Sequence, residues 1–172
     1  MPVPVAGALG RAADPETYAI IGAAKVDILF VAAAGNGDRF GRAINNDTTA
    51  VYPANYNTTV ATSTESAASY NSVIAVTAID SSGNKASWAN YGATTVDLGA
   101  PGVSINSTLP TDTYGAYSGT SMATPHVTGA IALYASTHST ASALAIRNAI
   151  LGYVTPTASL AGKTVTGGRL DL

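Results

Sequence analysis

Gly119-Thr120-Ser121-Met122-Ala123-Thr124-Pro125-His126-Val127 heads an apolar run that continues to Ser136. Small residues crowd a serine at what reads as a loop-to-helix junction, and the helix is expected over Ser121–Ser136. Pro125 is expected near the first turn, where a missing N–H breaks no helical bond. The serine has two readings. It is a helix cap, using its hydroxyl on a free backbone amide. Alternatively it is a nucleophile, with the unbonded amides and positive end of the helix stabilising the negative charge that develops when it attacks a carbonyl. From this segment alone the cap is the simpler reading.

Upstream, Ile28–Ala34 (ILFVAAA) is a short apolar run entering Gly35-Asn36-Gly37. An apolar run without alternation predicts a parallel-sheet strand covered on both faces. Val73–Ile79 (VIAVTAI) predicts a second strand, and Val96–Leu98 a third, ended by Gly99-Ala100-Pro101-Gly102. Before the first strand, Asp14 can cap a helix, Pro15 suits its first position and Glu16 its positive end. This helix ends near Ala24, with Tyr18, Ile21 and Gly22 on one face. Downstream, Thr140 is expected to cap a helix running to Leu151, with Gly152 as its stop. Asn57–Ser72 is polar, has no period, and reads as a surface insertion. Strands alternating with helices, without repeats or a linker, predict one α/β domain: a parallel sheet flanked by helices on both faces. Residues 1–13 carry little pattern.

Composition narrows the function. Only 10% of the 172 residues are charged, against a usual value of about 25%, and the net charge is −2. With no basic run, nucleic acid and anionic membranes are poor partners. The absence of cysteine excludes disulfides, thiolate zinc sites and a cysteine nucleophile. The longest apolar stretch, Tyr18–Ala34, is interrupted by Lys25 and Asp27, so no transmembrane helix is expected. The opening MPVPVAGALG lacks the basic and apolar regions of a signal peptide.

Several motifs, in order, decide between the readings of Ser121. GTSMATPHVTG (119–129) resembles the serine signature of the subtilisin family. Ile28–Asn36 resembles that family's strand and turn bearing the oxyanion asparagine. Tyr52-Pro53-Ala54-Asn55-Tyr56 resembles the segment shaping the primary specificity pocket. Ala86–Leu109 and Gly167–Leu170 resemble later segments of the same domain. The resemblance runs from residue 14 to the end and implies a subtilisin-like domain whose N-terminal part is missing. It implies peptide-bond hydrolysis of a peptide or protein substrate through a serine acyl-enzyme, with Ser121 as nucleophile. Asn36 would donate its side-chain N–H to the oxyanion beside the Ser121 backbone N–H. Ala33, Ala34 and Gly35 would form one wall of the specificity pocket, with Tyr52, Pro53 and Ala54 near its base. The chemistry would need no cofactor. Structural calcium is an expectation, with the carbonyls near Ala54 and Tyr56 resembling a weak site that the Asn57–Ser72 insertion interrupts. The resemblance also implies a secreted protein.

One part of the family pattern is absent. The family's triad runs Asp, His, Ser, yet both histidines, His126 and His138, follow Ser121. On a helix His126 lies about 140° around from Ser121, too far to touch its hydroxyl. His138 is expected to face solvent. Asp14, Asp27, Asp38, Asp47, Asp80 and Asp97 lack the family's flanking residues, and Asp97 is expected to be structural. Without a general base the Ser121 hydroxyl stays protonated and weakly nucleophilic. The chain alone is therefore expected to be inactive and to require a complementing N-terminal segment. An α/β-hydrolase esterase fails on order, since that fold places an acid and then a histidine after the serine. Here no acid lies between Ser121 and His138. A non-catalytic, subtilase-like interaction module remains open.

Overall fold

The computed structural model describes residues 15–171. The chain runs α1 (Pro15–Lys25), β1 (Phe30–Ala33), β2 (Val73–Ile79), β3 (Leu98–Pro101), β4 (Ile105–Leu109), β5 (Thr113–Tyr117), α2 (Thr120–Thr137), α3 (Ala143–Gly152), β6 (Thr155–Pro156) and β7 (Gly168–Arg169). One sheet has the order β1-β2-β3-β7-β6. Its first four strands are parallel, and β6 closes it antiparallel to β7. The remaining strands, β4 and β5, form a separate antiparallel hairpin.

The apolar runs explain this arrangement. Every residue of β2 is buried, as an unalternating VIAVTAI requires of a central strand. Ile74, Val76 and Leu98 face one layer, where Ala123, Val127 and Ala130 of α2 and Ile146 and Ile150 of α3 cover them. Val73, Ala75 and Ala32 face the other, against Ile20 of α1 and Ala54 and Tyr56. Helices therefore cover both faces. No helix among the described residues is long and apolar enough to cross a membrane.

Five expectations need correction. The first strand is shorter than Ile28–Ala34 and only half-buried, with Ile28 53% exposed. It is also an edge strand, with β2 on one side and no strand on the other among the described residues. The third strand begins at Leu98, because Asp97 spends its side chain on Ala75 N–H and Arg147. Pro125 is the sixth residue of α2, past the first turn, and so removes the amide that would bond the Ser121 carbonyl. Ser142, not Thr140, caps α3 by accepting from Ala145 N at 3.2 Å, and Gly152 ends that helix from within. The buried face of α1 is Ile20, Ile21 and Ala24, so the expected face is right only at Ile21. The cap assigned to Asp14 lies outside the described residues.

Asn57–Ser72 forms no helix or strand, but its base is fastened. The buried Thr58 hydroxyl donates to Tyr70 O at 2.8 Å and accepts from Ser72 N at 2.9 Å. An ion pair between Lys25 and Glu65 ties its outer part to α1.

Backbone approach fixes where α2 begins. A Cβ on Gly102 would lie 2.6 Å from Ala78 Cβ and 2.8 Å from Gly119 O, so only glycine fits. Gly119 N in turn donates to Gly102 O at 2.8 Å. Gly102→Ala is therefore expected to cost about 1–3 kcal/mol by overpacking. Gly129→Ala, where a Cβ meets nothing within 4 Å, should stabilise α2 by up to about 1 kcal/mol. Urea unfolding of the two variants checks both signs.

Candidate active site

Gly35 turns the chain at the end of β1 with φ 111°, a conformation glycine adopts freely, and a Cβ there would lie 2.4 Å from Asn90 Nδ2. The turn delivers Asn36 to the first residue of α2. Thr120 N donates to Asn36 Oδ1 at 2.8 Å, and the Thr120 hydroxyl donates to the same oxygen at 2.9 Å. Gly35 N donates back to that hydroxyl at 3.2 Å. With its oxygen held twice, the Asn36 carboxamide can offer only its Nδ2 donor outward.

Ser121 is exposed and is the second residue of α2, whose first amides have no intrahelical acceptor. A methyl placed on Gly119 would lie 3.5 Å from Asn36 Nδ2 and 3.6 Å from Ser121 N. The two donors thus border one small space beside the serine. The geometry suits a developing oxyanion, and the positive end of α2 adds to it.

A groove of about 550 Å³ opens at Ser121. Met122, Pro125 and His126 line one side, and Ile105–Leu109 with Tyr117 line the other. The β4–β5 hairpin therefore builds half the cleft.

Asn90, 1% exposed, holds the turn from behind. Its Oδ1 accepts from Gly37 N and Ile44 N, both at 2.9 Å, and its Nδ2 donates to Ala34 O at 3.0 Å. Asn46 Nδ2 donates to Ala34 O as well, at 2.9 Å. Sequence reasoning gave no site role to Asn90, Asn46 or Thr120, although Asn90 and Thr120 both stood inside segments that resemble the family.

The site residues are not all gathered in one place. Asn36, at the carboxyl end of β1, meets the start of α2 beside Ser121 through Thr120, with Ala33, the fully buried Ala34 and Gly35 leading into it. Tyr52 and Ala54 pack with Phe30, Ala32 and Tyr56 on the opposite face of the sheet from α2. Tyr52 precedes Pro53 through a cis peptide bond. The side chain nearest the Gly35 wall from this segment is Val51, whose Cγ1 would lie 3.5 Å from a Gly35 Cβ.

Among the described residues nothing hydrogen-bonds to the Ser121 hydroxyl. His126 Nδ1 is engaged by Met122 O at 2.9 Å, one turn back on its own helix. His138 stacks on Tyr134, with ring centroids 4.0 Å apart, and its Nδ1 lies 3.0 Å from Tyr134 O. The acids are occupied elsewhere. Asp27 accepts from Ala143 N at the start of α3. A hydrogen bond from Arg42 holds the Asp38 carboxyl below its ordinary value. Burial would raise Asp47, but hydrogen bonds from Thr95, Thr94 and Ala93 outweigh it and hold that group low. Asp80 is held low by hydrogen bonds from Asn84 within its turn. Burial pushes Asp97 up, against the downward pull of Ala75 N–H and the Arg147 charge.

The sequence profile of the subtilase family matches residues 7–165. The chain belongs to the subtilase family. Subtilisin DY of Bacillus licheniformis is 45% identical over 121 residues, covering 70% of this chain and 37% of the relative. Subtilisin E of Bacillus subtilis (strain 168) is 48% identical over 113 residues, covering 66% and 25%. A solved chain from the subtilase cytotoxin SubAB assembly superimposes with a TM-score of 0.70 at 24% identity, covering 88% of this chain and 49% of that one. This last likeness shows the fold alone. The chain thus spans 25% to 37% of the length of these two subtilisins. Asn36 and Ser121 both lie within the residues that match the subtilase family.

Within this subtilase site the Thr120 hydroxyl is a positioning group for Asn36. Thr120→Val is expected to cost about 1–3 kcal/mol, because a fully buried hydroxyl bridging two partners is lost. Ser121→Ala, at an exposed position, should change stability by less than about 0.5 kcal/mol. Parallel thermal melts of the two variants test the contrast.

Proposed function

We propose that this chain is the nucleophile-bearing part of a serine endopeptidase, silent alone and active once a separate segment supplies a histidine and an aspartate. The observation that carries the reading is the convergence of Asn36 Nδ2 and Ser121 N beside a serine hydroxyl that has no base. In the completed site Ser121 Oγ attacks the scissile carbonyl carbon. The carbonyl oxygen gains the negative charge and takes hydrogen bonds from Asn36 and the Ser121 amide. The serine proton passes to the supplied imidazole, which returns it to the leaving amine; water then cleaves the acyl-serine by the same route. No step needs a cofactor. Ala33, Ala34 and Gly35 leave room for a large apolar substrate side chain, and Val51 bounds that room. The reading takes the substrate to be peptide or protein and the site of action to lie outside the cell, in line with the family.

Among the described residues no strand pairs with β1 on the side away from β2, which supports the partner's form. β2 runs parallel to β1, so a further parallel strand there would end beside Asn36. The exposed Val26 (68%) and Ile28 (53%) near that edge favour an apolar segment. An alternative reading, a non-catalytic interaction module, rests on the same edge and the same missing base.

A chromogenic peptide amide separates the readings. The chain alone is expected to match its Ser121→Ala variant. Mixed with the N-terminal portion of subtilisin E that carries that enzyme's Asp and His, it should gain Ser121-dependent hydrolysis. Asn36→Leu in the mixture should lower this rate about 10²–10³-fold, the cost known for a side-chain oxyanion donor in subtilisin itself. A rate for the chain alone above Ser121→Ala would overturn the incompleteness. Binding of the segment without hydrolysis would favour the interaction module.

A further inference from the structure

A second cavity, about 310 Å³, lies away from Ser121, bordered by Ala54, Tyr56, Asn71, Thr95, Asp97 and Arg147. It is where the family resemblance led to an expectation of structural calcium. The donor set can be tested against that ion. Calcium takes six to eight oxygens, and its affinity rises with the number of carboxylates. This cavity offers one carboxylate, and both its oxygens are engaged. Asp97 Oδ1 accepts from Arg147 Nη2 at 3.0 Å, and Oδ2 accepts from Ala75 N at 2.8 Å. Two of its neutral side-chain oxygens are committed as well, which leaves chiefly backbone carbonyls such as that of Ala54 as further neutral donors. Asn71 Oδ1 accepts from Thr58 N and Val73 N, both at 3.3 Å. The Thr95 hydroxyl donates to Asp47 at 2.7 Å. Among the described residues no group of three or more His, Cys, Asp or Glu could hold a metal ion.

Arg147 turns the balance further. Its side chain is 18% exposed and Asp97's is 11%, so the pair is largely shielded from solvent. A guanidinium keeps its charge in any such setting. The cavity is therefore neutral, with a fixed positive group already on its only carboxylate. Arg147 Nε is buried without an acceptor. What remains unsatisfied there calls for an oxygen lone pair, not for a second cation.

We infer that Arg147 is the resident cation of this cavity, taking the place a divalent metal would need and leaving the fold indifferent to calcium. The guanidinium joins α3 to the residue just before β3, so the fastening a metal would provide comes from within the chain. This inference does not depend on the proposed protease activity and is read without it.

Thermal unfolding in excess EGTA and in millimolar calcium chloride tests it. The wild-type midpoint should agree between the two buffers to within about 1 °C. Arg147→Met frees the Asp97 carboxylate. That variant should melt lower in EGTA and regain about 5 °C or more in calcium. Arg147→Lys, which keeps a cation, should remain indifferent. A wild-type midpoint that rises with calcium or falls with EGTA overturns the inference. So does a folded Arg147→Met that ignores calcium, since Arg147 would then not be what excludes it. Should Arg147→Met fail to fold, titration of wild type with calcium by calorimetry decides: no heat of binding is expected, and saturable binding overturns the inference.

Discussion

The site depends on one close approach, the N-terminus of α2 against the carboxyl ends of β1 and β3. Gly102 makes it possible by carrying no side chain where the two backbones meet. Once they meet, Thr120 is sealed from solvent and both its backbone N–H and its hydroxyl reach Asn36. In open α/β sheets ligands bind in the crevice beyond the carboxyl ends of the strands. Here the same contact also aims an asparagine amide and a helix-terminal amide into one space. A shift of α2 by one ångström would separate them, so packing in the core and chemistry at the surface are one constraint.

That constraint supplies electrostatic stabilisation and no proton acceptor. Ser121 sits at the positive end of a helix, which helps an oxyanion yet does nothing to remove the hydroxyl proton. His126 shares the groove but spends Nδ1 on Met122 O, as a residue one turn along its own helix readily does. Asp27, Asp38, Asp47, Asp80 and Asp97 each have a partner that explains them without catalysis. The low charge content leaves few ionisable groups, and the fold uses them to cap a helix, close turns and neutralise Arg147.

Much of this was legible in the sequence where a residue pattern had one structural solution. VIAVTAI could only be a central strand, and the GTSMA junction could only be a helix start. ILFVAAA was misjudged in extent, because an apolar run does not mark where pairing starts: Ile28 and Leu29 precede the strand, and Ile28 is exposed. The β4–β5 hairpin was missed for another reason. Its turn passes through Thr111 and Asp112, both at positive φ (64° and 56°), without the Asn-Gly or Asp-Gly pair that marks such turns. Its strands, INSTL and TYGAY, are largely exposed and carry no apolar alternation. Asn90 was invisible because the three partners of its side chain lie far away in sequence, and a single asparagine in a polar stretch gives no local sign of being buried.

The edge of β1 that no described strand pairs and the missing base are connected by geometry. The sheet's central strands are parallel, so a strand added to β1 in the same sense ends at the crevice that holds Asn36 and Ser121. The residues following that strand would then emerge beside the groove between α2 and the hairpin. A peptide bound antiparallel would instead turn its amino end toward the serine. Strand polarity alone therefore distinguishes a segment able to bring side chains to Ser121 from one that merely covers an apolar edge. The half-buried β1 is thus as much a part of the site as the serine, because what pairs with it decides whether the two amides ever meet an oxyanion.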